Sequence, residues 1–451
     1  MPTVTTTPSV SRASQLATFN TGRSRWTAFV FTRVIMAMLP LLSLLPEPYS
    51  LRSGLEGDVT TYFRQHNQLF SGLVPYRQFV LEYPPGALVL LVLPGTVAVT
   101  AAGYLVVWVL QSMVLDIAGY AAIKRIGKVT GSSTGAARAQ WCWIVAGPLL
   151  GGLTLVRNDL LAVTAVAWAV VFLAERRPHW AGAFLGFAVL AKIWPLLVLA
   201  AVCVAVRSQR WALVRGAAIV LLAAAGALQA LGMLVPMVHV LGGYHGQRGL
   251  QVESVAAYPT LIAARIHGHK PATIANFGST NLEGHVGLVA TTTYASVVVV
   301  GAMLFLGWRR QRSAPLELSA ALSLAAACVG ASMVTDKVLS PQYSIWLLML
   351  VVLSVAAGNR GVRTLLCGGT FVLMTGLVYP NFYEDVVLAR PIGLFLQTLR
   401  IAALLATVLS AACEGRHAPD ENQTVRPVGT RLSFPRQRTS RASRPVADPV
   451  S

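Results

Sequence analysis

Apolar runs of roughly span length recur along this chain, separated by short segments in which polar and charged residues collect. Runs such as 286–307 and 391–412 are long enough to cross a hydrocarbon layer of ~30 Å, which takes ~20 residues of helix. The pattern predicts an all-α polytopic membrane protein of about 12 transmembrane helices. Two stretches break it. Residues 86–101 follow Pro84 and Pro85 and are predicted to be interfacial or re-entrant, leaving 103–123 to span. Residues 180–206 lie between basic clusters and must go out and return, with the tip at Lys192 to Pro195. Proline removes a helix hydrogen bond there and lysine avoids the bilayer centre. In the first outer loop, Val59, Tyr62, Phe63, His66 and Phe70 share a face at helical spacing and Gly72 suits a C-terminal cap. Residues 58–71 therefore read as a short helix on the membrane surface, with Asp58 at its start.

Composition sharpens this picture. With 55% hydrophobic and 12% charged residues and a mean hydropathy of +0.61, the chain is not a soluble enzyme. A net charge of +19 in a soluble protein would suggest nucleic acid, but here the basic residues sit in short clusters between apolar runs, where they orient spans. If those clusters are cytoplasmic, two-thirds of the 36 Lys and Arg fall on one side of the bilayer, as the positive-inside rule expects. The predicted organisation is a cytoplasmic tail over 1–25, a transmembrane domain over 26–412 and a disordered basic cytoplasmic tail over 413–451, in the plasma membrane. The first apolar run lacks a small-residue cleavage site and reads as a retained span. Five cysteines without Cys-x-x-Cys spacing support neither disulfides nor zinc, and His66, His267, His269 and His285 lack metal-site spacing with carboxylates. No metal or cofactor is expected.

With this topology, Asp58, His66, Arg77, Glu82, Arg157, Asp159, Lys192, His245, Arg248, Glu253 and Lys337 all fall on the outer face. One extracytoplasmic site is implied. A transporter would place ionisable groups near the midplane and often shows inverted repeats, neither of which is visible. A non-catalytic scaffold would leave the one-sided collection of charges unexplained. Several of these residues also have structural readings. Asp58 suits a helix N-cap, and Lys192 and Lys337 suit snorkelling from span ends. Arg157 and Asp159 suit an ion pair with each other or a helix start, and His245 suits an exposed loop. Glu253 suits a cap or a partner for Arg248. Gln342 and Tyr343 follow Pro341 at the start of a span, where tyrosine is an ordinary interface anchor. Asp116, alone inside an apolar run, has no assignment.

Several segments carry a resemblance in order along the chain: GDVTTYF from Gly57, VPYRQFVLEYPPG from Val74, RNDLLAV from Arg157, AKIWP from Ala191, YHGQRGLQVES from Tyr244, DKVLSPQYSIWLL from Asp336 and TGLVYPNFY from Thr375. Together they resemble glycosyltransferase family 87, a branch of the GT-C superfamily. The resemblance implies a polyprenyl-phosphate-sugar donor carrying mannose or arabinofuranose, and transfer with inversion on the outer leaflet of actinobacterial membranes. It also implies a hydroxyl acceptor on a glycolipid or glycan, with Asp58 as general base and Lys192, His245, Arg248 and Lys337 near the donor phosphate. Arg77, Glu82, Arg157, Asp159, Glu253, Gln342 and Tyr343 complete the candidate substrate site. Two departures stand out: Gln78 follows PYR where relatives often carry an acidic residue, and Ile193-Trp194 precede Pro195 in place of Leu-Tyr. The chemistry agrees independently. An alkoxide leaving group must be protonated, so glycosidases use two carboxylates, whereas a phosphate leaves as a stabilised anion and needs one base plus cations.

Overall fold

A computed structural model describes residues 21–45, 57–313 and 316–414. Most of the expected 1–25 tail, Arg52 and the expected tail beyond Glu414 lie outside the described residues. Helix α1 (Gly22–Leu41) opens on Thr21, whose hydroxyl accepts from the Ser24 amide at 3.1 Å, and so begins slightly before the predicted boundary at 26. Helix α2 (Gly57–Phe70) falls where the sequence predicts a short helix over 58–71. It buries Val59, Tyr62, Gln65 and His66 and ends into Gly72 at φ +88°, where glycine carries no Cβ penalty. Phe70, on the same face at helical spacing, is exposed.

The stretch after Pro84 forms a 3-10 turn (Pro85–Ala87) and a short helix α3 (Leu88–Gly95), before the long α4 (Ala101–Thr130), capped by Thr100 and closed at Gly131. Then come α5 (Ser133–Leu149), α6 (Leu153–Val156), α7 (Asp159–Ala174), α8 (Pro178–Ala191), α9 (Pro195–Ala205), α10 (Arg210–Ala230) and α11 (Leu234–Gln247). The break between α8 and α9 falls where the sequence predicts it: Lys192 is extended at φ −153°, ψ 149°, and Pro195 starts the second arm.

Between α11 and the next long helix lies a small folded unit: β1 (Leu250–Gln251), α12 (Tyr258–Ile266), β2 (Thr273–Asn276) and β3 (Ser279–Leu282). The strands pair antiparallel in the order β1-β3-β2. Its apolar residues, among them Leu250, Val252 and Leu261, form a second core with Val378, Val386 and Leu394. The chain finishes with α13 (Val286–Ser313), α14 (Leu318–Thr335), α15 (Tyr343–Ala356), α16 (Val362–Gly376), α17 (Tyr383–Val387) and α18 (Pro391–Glu414).

The molecule is an all-α polytopic membrane protein, with one small sheet among the described residues. Among the described residues seven helices are long and apolar enough to span by themselves: α1, α4, α10, α13, α14, α16 and α18. Shorter apolar helices, including α7, α8, α9 and α15, accompany them, so the expected count of about 12 is not reached on length alone. Helix α15 buries every residue from Ser344 to Ala356 and is apolar on all sides, as an innermost helix must be. Helices α8 and α10 approach through glycines: a Cβ on Gly182 would meet the Leu213 carbonyl, and one on Gly216 the His179 carbonyl. Close backbone contact of this kind replaces the hydrophobic driving force that lipid removes.

Two buried ion pairs cross the bundle. Arg33 Nε lies 2.6 Å from Asp116 Oδ2, with Trp143 Nε1 donating to the other oxygen at 2.7 Å. Arg33 also donates to the Ile144 and Trp143 carbonyls, so Asp116 is a structural counter-ion tying α1 to α4 and α5. The second pair joins Glu253, which follows β1, to Arg400 of α18 at 2.6 Å.

Candidate functional site

Helix α2 brings Asp58 into its first turn, and the carboxylate reaches across to Arg157, just before α7, instead of capping its own helix. Arg157 Nη2 lies 3.4 Å from the Tyr379 hydroxyl, and Arg157 Nε has no hydrogen-bond partner among the described residues. Asp159 sits in the first turn of α7, where the helix dipole favours a carboxylate. It is 1% exposed, yet its partner is not Arg157. Lys192 Nζ is 3.2 Å from Asp159 Oδ1, which also accepts from Trp346 Nε1 at 2.7 Å, while Oδ2 is unpartnered among the described residues. The Arg157 and Asp159 side chains therefore pair outward to different elements and not with each other.

Lys192 is held by more than charge. Its Nζ lies 4.9 Å from the centre of the Tyr83 ring, and Tyr83 meets Tyr62 edge-on at 6.0 Å. Gly86 makes this possible. A Cβ there would lie 2.7 Å from the Leu190 carbonyl carbon, so only glycine lets the Tyr83–Pro85 turn rest against the last residues of α8. A Gly86→Val substitution is expected to push the turn off α8 and separate Tyr83 from Lys192. Activity should fall at least tenfold while the bundle still assembles, which transfer assays together with size-exclusion chromatography would register.

Glu82, Tyr244, His245, Arg248 and Lys337 face the same region. Lys337 Nζ donates to the Gly246 carbonyl at 3.2 Å, which ties the loop after α14 to the end of α11. His245 is exposed at this crowded rim. Partial desolvation, then Arg248, with Lys192 and Lys337 adding to the effect and Glu82 opposing it, holds its imidazole below the ordinary pKa. The ring is accordingly uncharged at neutral pH. Burial lowers the Lys337 pKa, with Asp336 opposing and Arg248 reinforcing the shift. Burial raises the Asp336 carboxyl, and its neighbours Lys337 and Arg248 oppose that rise. Burial likewise pushes the Tyr83 hydroxyl well above its ordinary range, with Tyr62 and Glu82 adding to it, so it remains a neutral donor.

At the start of α15, Tyr343 stacks on Trp346 at 4.0 Å, and Trp346 stacks in turn on Trp194 at 5.2 Å. Gln342 Oε1, Trp194 Nε1 and Arg248 Nε are buried without a hydrogen-bond partner among the described residues. Orphans of this kind are rare in a finished core. Arg157 Nε and Asp159 Oδ2 likewise lack a partner among the described residues.

Two sequence candidates stand apart. Arg77 is exposed beside Gly232, at the turn between α10 and α11. Glu253 is 1% exposed and fully engaged: Arg400 Nη1 donates to Oε1 at 2.6 Å, Gln251 Nε2 to Oε2 at 2.9 Å and Gln397 Nε2 to its carbonyl at 2.6 Å. The expected partner Arg248 is replaced by Arg400.

A cavity of about 320 Å³ opens beside Asp58. Its walls come from Thr61, Tyr62, Arg64 and Gln65 of α2, from Val80 and Glu82, from Tyr244, and from Phe277 and Gly278 at the β2–β3 tip. Gln65, Tyr244, Phe277 and Asp336 are not among the residues the sequence singles out. Tyr244 and Asp336 lie within the motifs that begin at those positions, whereas Phe277 carries only the signal of a lone aromatic in a turn. Among the described residues no group of three or more His, Cys, Asp or Glu is placed to hold a metal ion.

No curated protein matches the chain significantly. The model of glycosyltransferase family 87 matches residues 79–335, which takes in Glu82, Arg157, Asp159, Lys192, His245 and Arg248 and leaves Asp58 and Lys337 on either side. That match covers more than half of the 451 residues, and the chain belongs to glycosyltransferase family 87.

Proposed function

We propose that this membrane glycosyltransferase takes mannose from a polyprenyl-phosphate donor and places it, with inversion, on a hydroxyl of a glycolipid or glycan acceptor. The observation that carries the reading is the Asp58 carboxylate at the wall of a cavity shared with Glu82 and Tyr244, while Arg248, Lys192 and Lys337 gather around the neighbouring His245. Asp58 accepts the acceptor's proton as that oxygen attacks the anomeric carbon from the face opposite the phosphate. The pairing of Asp58 Oδ2 with Arg157 fixes the carboxylate and leaves Oδ1 for the proton. Lys192, Arg248 and Lys337, with neutral His245, hold the phosphate and stabilise charge growing on it as the C–O bond breaks. Gln342 and Tyr343 border this phosphate side. A lipid donor requires a site at the headgroup level, and we place it on the outer face of the plasma membrane with both termini cytoplasmic.

Arabinofuranose on the same carrier is the alternative donor. Purified protein in nanodiscs, given radiolabelled polyprenyl-phosphate-mannose or polyprenyl-phosphate-arabinose with membrane lipid and wall extracts, tests both. Label moved from the mannose donor into a lipid or glycan product is the expected result. Label moved only from the arabinose donor would change the sugar. No transfer from either, by folded protein, would remove the polyprenyl-phosphate donor from the reading.

A further inference from the structure

We infer that the cavity beside Asp58 is the seat of a neutral sugar ring of the acceptor, with Phe277 at the β2–β3 tip as its platform and Gln65 as a reader of one hydroxyl. This rests on the proposed function and adds to it the location and chemical class of the acceptor group.

The lining chooses between the two substrates. Asp58 and Glu82 contribute carboxylates, Gln65 an amide and Thr61 a hydroxyl, and the lining includes one guanidinium, the exposed Arg64. Lys192, Arg248 and Lys337 are absent from the lining. A phosphate monoanion placed between two carboxylates would be repelled and poorly paired, whereas hydroxyls donate to carboxylates and amide oxygens without cost. The volume of about 320 Å³ is at the small end of ligand sites, which run to ~1,000 Å³. A sugar residue fits, and a polyprenyl or acyl chain must stay outside.

Two further observations point to a ligand. Gln65 is 7% exposed, lines the cavity, and has its Oε1 unpartnered among the described residues. An acceptor left buried and unpaired costs roughly 1–3 kcal/mol, and a ligand hydroxyl is the group that would satisfy it. The second is the hairpin tip. Phe277 and Gly278 both adopt left-handed backbone, at φ +50° and +66°, in a two-residue turn linking Asn276 to Ser279. The first of these positions favours Asn, Asp or Gly, and a phenylalanine there is strained. The turn is held from beneath. Tyr244 donates from its hydroxyl to the Phe277 carbonyl at 3.1 Å, and the two rings meet edge-on at 5.2 Å. A strained aromatic, pinned by a second aromatic at the cavity wall, offers a flat apolar face against which the C–H face of a sugar ring packs while its hydroxyls turn to Gln65, Glu82 and Asp58.

The test separates the two substrates by binding, using octyl α-mannoside as a neutral sugar probe and farnesyl phosphate as a phosphate probe, with protein in nanodiscs. Phe277→Ala and Gln65→Leu are expected to weaken octyl mannoside about tenfold each and to leave farnesyl phosphate unchanged. Phe277→Trp should retain mannoside binding, which shows that a ring and not the phenylalanine itself is needed. Lys337→Ala should do the reverse, weakening only the phosphate probe. Thermal unfolding of each variant near the wild-type temperature keeps the comparison on folded protein, and Phe277→Trp covers a failure of Phe277→Ala to fold. Absence of saturable mannoside binding by the wild type, or loss of farnesyl phosphate in place of mannoside in Phe277→Ala, overturns the inference. If the binding pattern holds but Asp58→Asn turns over normally, the sugar seat stands and the assigned chemistry fails.

Discussion

Replacing Asp58 by asparagine is expected to lower sugar transfer by a factor on the order of 10² or more while the protein still assembles and binds donor, the scale of a lost general base. The amide is nearly isosteric, and its oxygen can still accept from Arg157, so the geometry that joins α2 to the start of α7 survives. What disappears is the site for the acceptor's proton. The ion pair offers an alternative role for Asp58, as no more than the counter-ion of Arg157, which is 15% exposed and would be left charged beside Tyr379. A double variant decides between the roles. If Asp58 only neutralises Arg157, Asp58→Asn with Arg157→Gln regains turnover, because no charge is left unpaired. If Asp58 is the base, the double variant is no better than the single one. Initial rates with saturating donor, measured for wild type, both single variants and the double variant, provide the comparison.

Much of this arrangement is legible in the sequence because membrane segments obey strong local rules. The surface helix, its glycine stop and the break at Lys192 follow from apolar periodicity and from proline and glycine chemistry, which act over a few residues. Gathering Asp58, Glu82, Arg157, Asp159, Lys192, His245, Arg248 and Lys337 at one end of the fold follows from topology, since each stands near a span end. The partners are a different matter. Arg157 and Asp159 are two apart, and side chains two apart at a helix start point in different directions, so each pairs outward: one to α2, the other to the α8–α9 break. Strands of two to four residues such as Leu250–Gln251 and Thr273–Asn276 are too short for alternation to show, so the sheet stayed hidden. The β2–β3 turn places Phe277 in the same cavity wall as residues of α2. Its meaning lies in a tertiary contact with Tyr244, and no local signal announces it.

The second large effect is expected at Glu253, and it is on stability. Sequence reasoning placed this residue among the sugar contacts, but both its oxygens are taken in the fold, by Arg400 and Gln251. Burial raises its pKa, and the Arg400 guanidinium opposes that rise. The network reaches further: Arg400 donates to the Leu339 carbonyl at 3.2 Å, and Gln251 Oε1 accepts from the Leu339 amide at 3.0 Å while the Gln251 amide donates to the Lys337 carbonyl. The backbone on either side of Val338 is thereby fixed from the sheet and from α18 together, and with it the root of the Lys337 side chain. Glu253→Ala leaves Arg400, fully buried, without its counter-ion, and the expected cost is about 3–5 kcal/mol, the scale for a buried pair broken on one side. Replacing both partners by apolar residues, Glu253→Met with Arg400→Leu, removes the stranded charge and should recover most of that loss. The double variant also settles what Glu253 does. If Glu253 is purely structural, thermal stability and a substantial part of transfer return together. If it touches the sugar, stability returns and transfer does not. Unfolding temperature and initial rate, measured on the same nanodisc preparations, separate these outcomes, and a double variant as unstable as Glu253→Ala would show that the network is held by more than this ion pair.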